Sequence, residues 1–268
     1  MKKMIVSLIF IIVTLNVVLC SGVVNAANEP EAKTVIVKRE NKLVKNLRLK
    51  RKRDAIIGVA DEYYANRGKI KFSQKKRQLN VKPEKARYLD SSAFVHNIYR
   101  QAFGVKIKTR TAEFIAEAKK ECKAEYKNKI KENDEHIICY VDNVNKVKND
   151  INNLKDILKP GDLIVWREDK NGKECGYIVM YIGDGKIIRC TNKKPAIQKD
   201  EVNRLINKDG NTYLGREAVK KFAVIRPINA KYMKNAKVTK YAEPLVKKIS
   251  QREIAERRKL QNENKVEN

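Results

Sequence analysis

Residues 176–190 constrain the fold more than any other stretch. Tyr177-Ile178-Val179-Met180-Tyr181-Ile182 and Lys186-Ile187-Ile188-Arg189-Cys190 are β-branched and aromatic runs separated by Gly183-Asp184-Gly185. Such a break supplies the positive φ angles of a tight reversal, so the two runs read as an antiparallel hairpin. With a three-residue loop, Val179 faces Arg189, and strand alternation puts Tyr177 and Arg189 on one face. Cys175 then shares that face and Cys190 does not, which disfavours a bridge between them. A two-residue loop reverses that arrangement. Pro160-Gly161 turns the chain into a further strand over residues 162–166, and residues 222–225 form another, closed by Arg226-Pro227.

Helices precede these strands. Ile56, Ile57, Ala60, Tyr63 and Tyr64 recur at helical spacing, with Asp54 placed to cap the N-terminus and Gly68 to end the run. Asp90-Ser91-Ser92 opens a second helix whose apolar positions are Phe94, Val95, Ile98, Tyr99, Ala102 and Phe103, closed by Gly104. Residues 111–131 read as a third, mostly exposed helix. Residues 133–155 are rich in asparagine and lysine and resemble an insertion, with one short strand at 137–141. Helices first and a β-meander after predict an α+β domain.

The first residues address compartment. Lys2 and Lys3 precede an apolar run over residues 4–19, and Val24 and Ala26 suit cleavage after Ala26, the layout of a secretory signal. The run is short for a bilayer span, and the bulky Val18-Leu19 before Cys20 argues against a lipid anchor. The formal charge of +28 loses only two lysines with that segment. So basic a chain is attracted to polyanions. Outside a cell, teichoic-acid phosphates and acidic wall peptides are the nearer candidates. Nucleic acid rests on charge alone, with no aromatic-interleaved basic motif behind it. Cys122, Cys139, Cys175 and Cys190 remain, an even number that permits two disulfides. Two histidines, His96 and His136, and no CxxC spacing argue against structural zinc. No metal or cofactor is expected.

Three segments in order carry a resemblance. They are Tyr88-Leu89-Asp90-Ser91-Ser92-Ala93-Phe94-Val95 (followed by Tyr99, Phe103-Gly104 and Arg110-Thr111), Leu158-Lys159-Pro160-Gly161-Asp162-Leu163-Ile164, and the hairpin from Tyr177 to Arg189. Together they resemble the NlpC-type cell-wall cysteine peptidases of the papain-like superfamily. That family has an Asp-Cys-Ser run opening a helix, a Leu-Lys-Pro-Gly-Asp-Leu entry to its sheet, and a His-Val-Gly-Ile-Tyr-Ile-Gly-Asp-Gly hairpin ending in a second His. Phe72-Ser73-Gln74 is similar to a Tyr-Ser-Gln loop seen before the nucleophile in some members. The resemblance implies a papain-like domain with N-terminal helices packed on an antiparallel β-meander. It covers the NlpC-type domain (54–228, with an insertion near 119–156). The residues on either side read as a signal (1–26), a basic extension (27–53) and a charged tail (229–268), whose last thirty or so residues are expected to pack weakly or remain disordered.

The departures from that pattern decide the functional expectation. The resemblance puts Ser91 at the nucleophile position, Tyr177 at the general-base position and Arg189 at the orienting position. A serine hydroxyl needs a base to take its proton; a phenol titrating near ~10 is a poor acceptor, and a guanidinium has no lone pair. His96 lies five positions after Ser91, roughly 140° around a helix, and reads as an exposed helix histidine pointing elsewhere. The expectation is therefore a secreted, wall-associated domain that binds peptidoglycan peptide or teichoic acid without cutting it, with Phe72, Ser92, Arg189 and Trp166 around the ligand. A divergent, active peptidoglycan endopeptidase using Ser91 is the alternative.

Overall fold

The computed structural model describes residues 29–147, 149–170, 173–205, 214 and 219–266, so the signal-like segment and Cys20 lie outside the described residues. Residues 1–48 and 49–268 are separate compact units. In the first, the described residues belong to helix α1 (Glu29–Ala65), with Leu43, Val44 and Leu47 exposed. Among the described residues, no helix is long and apolar enough to cross a membrane.

The second unit is α+β. Helices α2 (Ser91–Phe103), α3 (Thr111–Glu121), α4 (Leu154–Ile157) and α5 (Glu243–Val266) accompany strands β1 (Lys71–Phe72), β2 (Tyr88–Leu89), β3 (Ile137–Val141), β4 (Leu163–Lys170), β5 (Lys173–Gly183), β6 (Lys186–Cys190), β7 (Ile197–Glu201) and β8 (Val219–Ile225). β1 and β2 form a small parallel pair. The others make one antiparallel sheet in the order β3-β8-β4-β5-β6-β7. Strands β4 to β6 are the expected meander, β7 extends it by a strand that sequence reading did not expect, and β8 returns to lie between β3 and β4.

Both faces of the sheet are covered. Leu163, Val165, Ile178, Met180, Ile188 and Cys190 pack with Ile56 and Val59 of α1 and with Phe94, Val95, Ile98 and Tyr99 of α2. Ile164, Trp166, Val179, Tyr181 and Ile187 pack on the opposite side, under Val144, Val147, Leu154 and Leu205. The alternation that separates these sets is the two-residue period of the strands. It also explains the apolar content of residues 144–157, which sequence composition marks as a polar insertion: they roof the second face.

The hairpin reaches the predicted facing by a different route. Gly183 pairs with Lys186, so the turn is the two residues Asp184-Gly185 and not three. A register shift between Tyr181 and Gly183 then sets Tyr181 opposite Ile187 and Met180 opposite Ile188. Gly183, Asp184 and Gly185 all have positive φ. Helix α2 is capped as expected: Asp90 accepts from the Ala93 amide at 2.6 Å, and Gly104 closes the other end at φ 70°. It is buried nearly all round rather than along one stripe. Tyr99 donates its hydroxyl to the Gly161 carbonyl at 2.6 Å and so ties α2 to the turn entering β4.

That turn is held from beneath by a buried ion pair. Arg226 donates Nε to Asp162 Oδ1 at 2.9 Å and Nη2 to Oδ2 at 2.8 Å. Its remaining donors reach the carbonyls of Asn133 and Ile157. Both side chains are almost wholly buried, at 0% and 1% exposure, a situation tolerable only because each polar atom is bonded.

Three expectations are corrected. Asp54 is interior to α1 rather than its cap, and Lys50 pairs with it at 2.9 Å. Helix α3 stops at Glu121, where Cys122 turns extended, and it buries Phe114, Ile115 and Ala118. Part of the final stretch expected to pack weakly is seated on the core: Ala242 and Val246 join it, following Ala230 and Met233, and Lys52 donates to the Met233 carbonyl at 2.6 Å. Few apolar anchors suffice there because each is placed on the core.

Candidate functional site

Ser91 is the first residue of α2 and is half-buried. Around it the chain makes a tight polar knot. Asp90 Oδ1 accepts from the Ala93 amide and from the Ser92 hydroxyl at 2.9 Å, and Oδ2 accepts from Arg77 Nη1 at 3.1 Å. The same Arg77 nitrogen donates to the Thr109 carbonyl at 2.7 Å. Ser92 Oγ lies 2.7 Å from that carbonyl and 3.3 Å from Arg77. The knot orients the start of α2, and its carboxylate is fully engaged by donors. Among the described residues, the Ser91 hydroxyl makes no hydrogen bond to a histidine or a carboxylate.

Tyr177 and Arg189 occupy the other face of the sheet. Tyr177 pairs with Trp166 across β4 and β5, and the two rings stack at 5.3 Å and 15°. Trp166 belongs to the cluster opposite the one containing α2, and Tyr177 packs against it. Arg189 donates Nε to Asp200 Oδ2 at 2.7 Å, from β6 to β7, with both side chains under 10% exposed. Asp200 also accepts from Arg204 at 3.0 Å. Hence the structure brings Tyr177 and Arg189 to one face, as the strand period predicts, while Ser91 opens the helix that covers the other.

Of the expected ligand contacts, Ser92, Trp166 and Arg189 are engaged inside the protein. Ser92 is buried and bonded to Asp90 and Thr109, so its hydroxyl serves the helix start. Trp166 is 1% exposed and donates Nε1 to Glu168 at 3.1 Å, which makes it core rather than ligand platform. Arg189 is not an open cation, because Asp200 neutralises it inside the sheet. Phe72 is half-buried in β1, paired with Leu89, and packs against the main core.

His96 is also corrected. It is 3% exposed, and Nδ1 donates to the Ile107 carbonyl at 2.7 Å. Nε2 lies 3.4 Å from Asn80 Oδ1. Burial, the leading cause, holds its pKa below the ordinary imidazole value. It points away from Ser91, as the helical angle required, but into the protein. Cys190, whose Sγ approaches the Leu89 carbonyl at 3.6 Å, is the thiol near this helix start. Burial pushes it well above the usual thiol range, so it is held as the unreactive thiol. All four cysteines outside the signal-like segment are free.

Sequence reasoning missed Arg77 and Asp200. Arg77 sits in a lysine-rich loop without periodicity, and Asp200 lies in a strand with one apolar residue. The Asp90 cap was the available signal for the first; the two-residue alternation that puts Asp200, like Gln198 opposite Arg189, on the Arg189 face was the signal for the second.

The model of the NlpC/P60 family matches residues 73–239, more than half of the chain and all three segments that begin at Tyr88, Leu158 and Tyr177. The chain belongs to the NlpC/P60 family. The match begins just ahead of Arg77 and runs past β8, so it contains the whole knot around Ser91 and the Arg189–Asp200 pair. A solved structure, that of the NlpC/p60 domain of the peptidoglycan hydrolase SagA, is similar at 14% identity and a TM-score of 0.31, covering 62% of this chain and 95% of that one. No curated protein matches the chain.

Proposed function

We propose that this NlpC/P60 domain is exported, catalytically silent, and binds the bacterial cell wall without cutting it. One observation carries the silent half of the reading: the Ser91 hydroxyl has no histidine or carboxylate accepting its proton among the described residues. Attack by a hydroxyl requires that proton to leave as the bond forms. Asp90 is the nearest carboxylate in sequence, and donors occupy both of its oxygens. His96 donates to a backbone carbonyl inside the core.

Charge supports the binding half. A formal +28 on 268 residues draws the chain to peptidoglycan carboxylates and teichoic-acid phosphates, and such attraction weakens with ionic strength. Because Arg189 is paired internally, the attraction belongs to the exposed lysines and arginines rather than to one guanidinium in a cleft. The test is sedimentation with purified cell walls, with and without teichoic acid, across a salt series. Binding that falls as salt rises is expected. Failure to co-sediment at low salt contradicts the reading.

One observation favours the alternative of a divergent, active endopeptidase. Ser91 stands at a helix N-terminus, where backbone amides stabilise developing negative charge. In that case soluble peptides appear on incubation with wall and vanish in Ser91→Ala.

A further inference from the structure

We propose that Glu117, Glu121 and His136 form a binding site for one divalent transition-metal cation. Glu117 and Glu121 stand four residues apart on α3 and so share a face, and His136 directly precedes β3. Their potential ligand atoms all lie within 4.8 Å of one another.

The orientation of the imidazole is the deciding feature. His136 Nδ1 lies 3.2 Å from the Arg226 carbonyl oxygen. A carbonyl only accepts, so Nδ1 carries the hydrogen, and Nε2 faces Glu117 Oε1 at 3.4 Å. Nε2 and the carboxylate oxygen are thus two ligand atoms that a single cation, a proton or a metal ion, can share. An outer hydrogen bond from the distal ring nitrogen to a backbone carbonyl is also what orients an imidazole toward a metal.

The surroundings strengthen the case. His136 and Glu117 are 14% and 10% exposed, so water screens them poorly. Tyr232 closes one side, its ring perpendicular to the imidazole at 5.9 Å. The chain has 60 lysines and arginines, yet among the described residues neither Glu117 nor Glu121 forms an ion pair with any of them. Two carboxylates and an imidazole suit zinc, cobalt, manganese or ferrous ion better than calcium or magnesium. Closing to a tetrahedral arrangement brings the donors to about 3.4 Å apart for ordinary bond lengths. The exposed Glu121 has the freedom to make most of that movement. The ion would clip α3 to the entrance of β3 and, through His136, to the end of β8.

The test uses the full chain without an affinity tag, stripped with chelator, then titrated with zinc and separately with cobalt. Saturable binding of one equivalent is expected, with a higher melting temperature and a cobalt spectrum typical of oxygen and nitrogen ligands. Both His136→Ala and Glu121→Gln should weaken binding at least tenfold. Glu121 is exposed, so that variant stays informative if His136→Ala folds poorly. Absence of saturable binding below millimolar metal, affinity unchanged in both variants, or an intense sulfur-to-cobalt band would each overturn the proposal.

Discussion

Arg189 donates through Nε to Asp200 at 2.7 Å across the β6–β7 pair, with both side chains buried. The cation that the resemblance assigns to the orienting position is thereby spent on holding an edge strand, on the sheet face opposite α2. Asp200→Ala leaves a buried guanidinium without that partner. The expected cost is about 3 kcal/mol, measured by urea unfolding. Arg189→Ala should cost less, since Arg204 also reaches Asp200, and it should leave wall sedimentation unchanged.

The Asp162–Arg226 pair sits beneath the turn into β4. Asp162→Ala strands a guanidinium that is wholly buried, so roughly 3–5 kcal/mol of stability is expected to be lost. Thermal unfolding checks this. A melting temperature within a degree or two of the parent would show that water reaches the site after all.

His96 makes stability depend on pH in a defined direction. Burial keeps its folded pKa below the unfolded value near ~6.5. Below that value the unfolded chain binds the proton and the folded chain does not. Stability is therefore fully present above about pH 6.5 and is lost as pH falls toward the lower folded pKa. Urea unfolding between neutral and mildly acidic pH should show this slope, and His96→Gln should flatten it.

Thiol labelling reports the same burial pattern. Cys139 is pushed up to about 12 by burial, and Cys190 is raised further for the same reason. Alkylation mapped by mass spectrometry should modify Cys175 first and Cys122 more slowly, with Cys139 and Cys190 protected until the chain unfolds. Rapid labelling of Cys190 would instead reveal an accessible thiol beside the start of α2.

A glycine tests the packing of the C-terminal helix. A Cβ at Gly58 would lie 2.7 Å from Leu245 Cβ. Gly58→Ala is therefore expected to destabilise by roughly 1–3 kcal/mol, although alanine alone favours helix by about 1 kcal/mol. A stabilised variant would mean that α5 is not seated on α1.

The hairpin and α2 were legible because glycine punctuation and apolar period agree there. Met180 stands opposite Ile188, although a register shift before Gly183 and not the loop length sets that pairing, and Asp90 caps Ser91's helix as its side chain allows. Strand β7 was illegible: Ile197-Gln198-Lys199-Asp200-Glu201 has one apolar residue and owes its place to pairing with β6. Composition also hid the packing after residue 229, where Met233 and Val246 are buried among lysines and glutamates. The position of Ser91 was readable from the cap. What lies around it was not, because Arg77 and Thr109 reach the site from loops without periodicity.

Mass spectrometry of the soluble fraction after incubating the protein with purified peptidoglycan addresses the missing proton acceptor most directly. We expect no peptides beyond those released by buffer, from the parent and from Ser91→Ala alike. Peptides released by the parent and absent with Ser91→Ala would contradict a silent site and place a working base beside that hydroxyl.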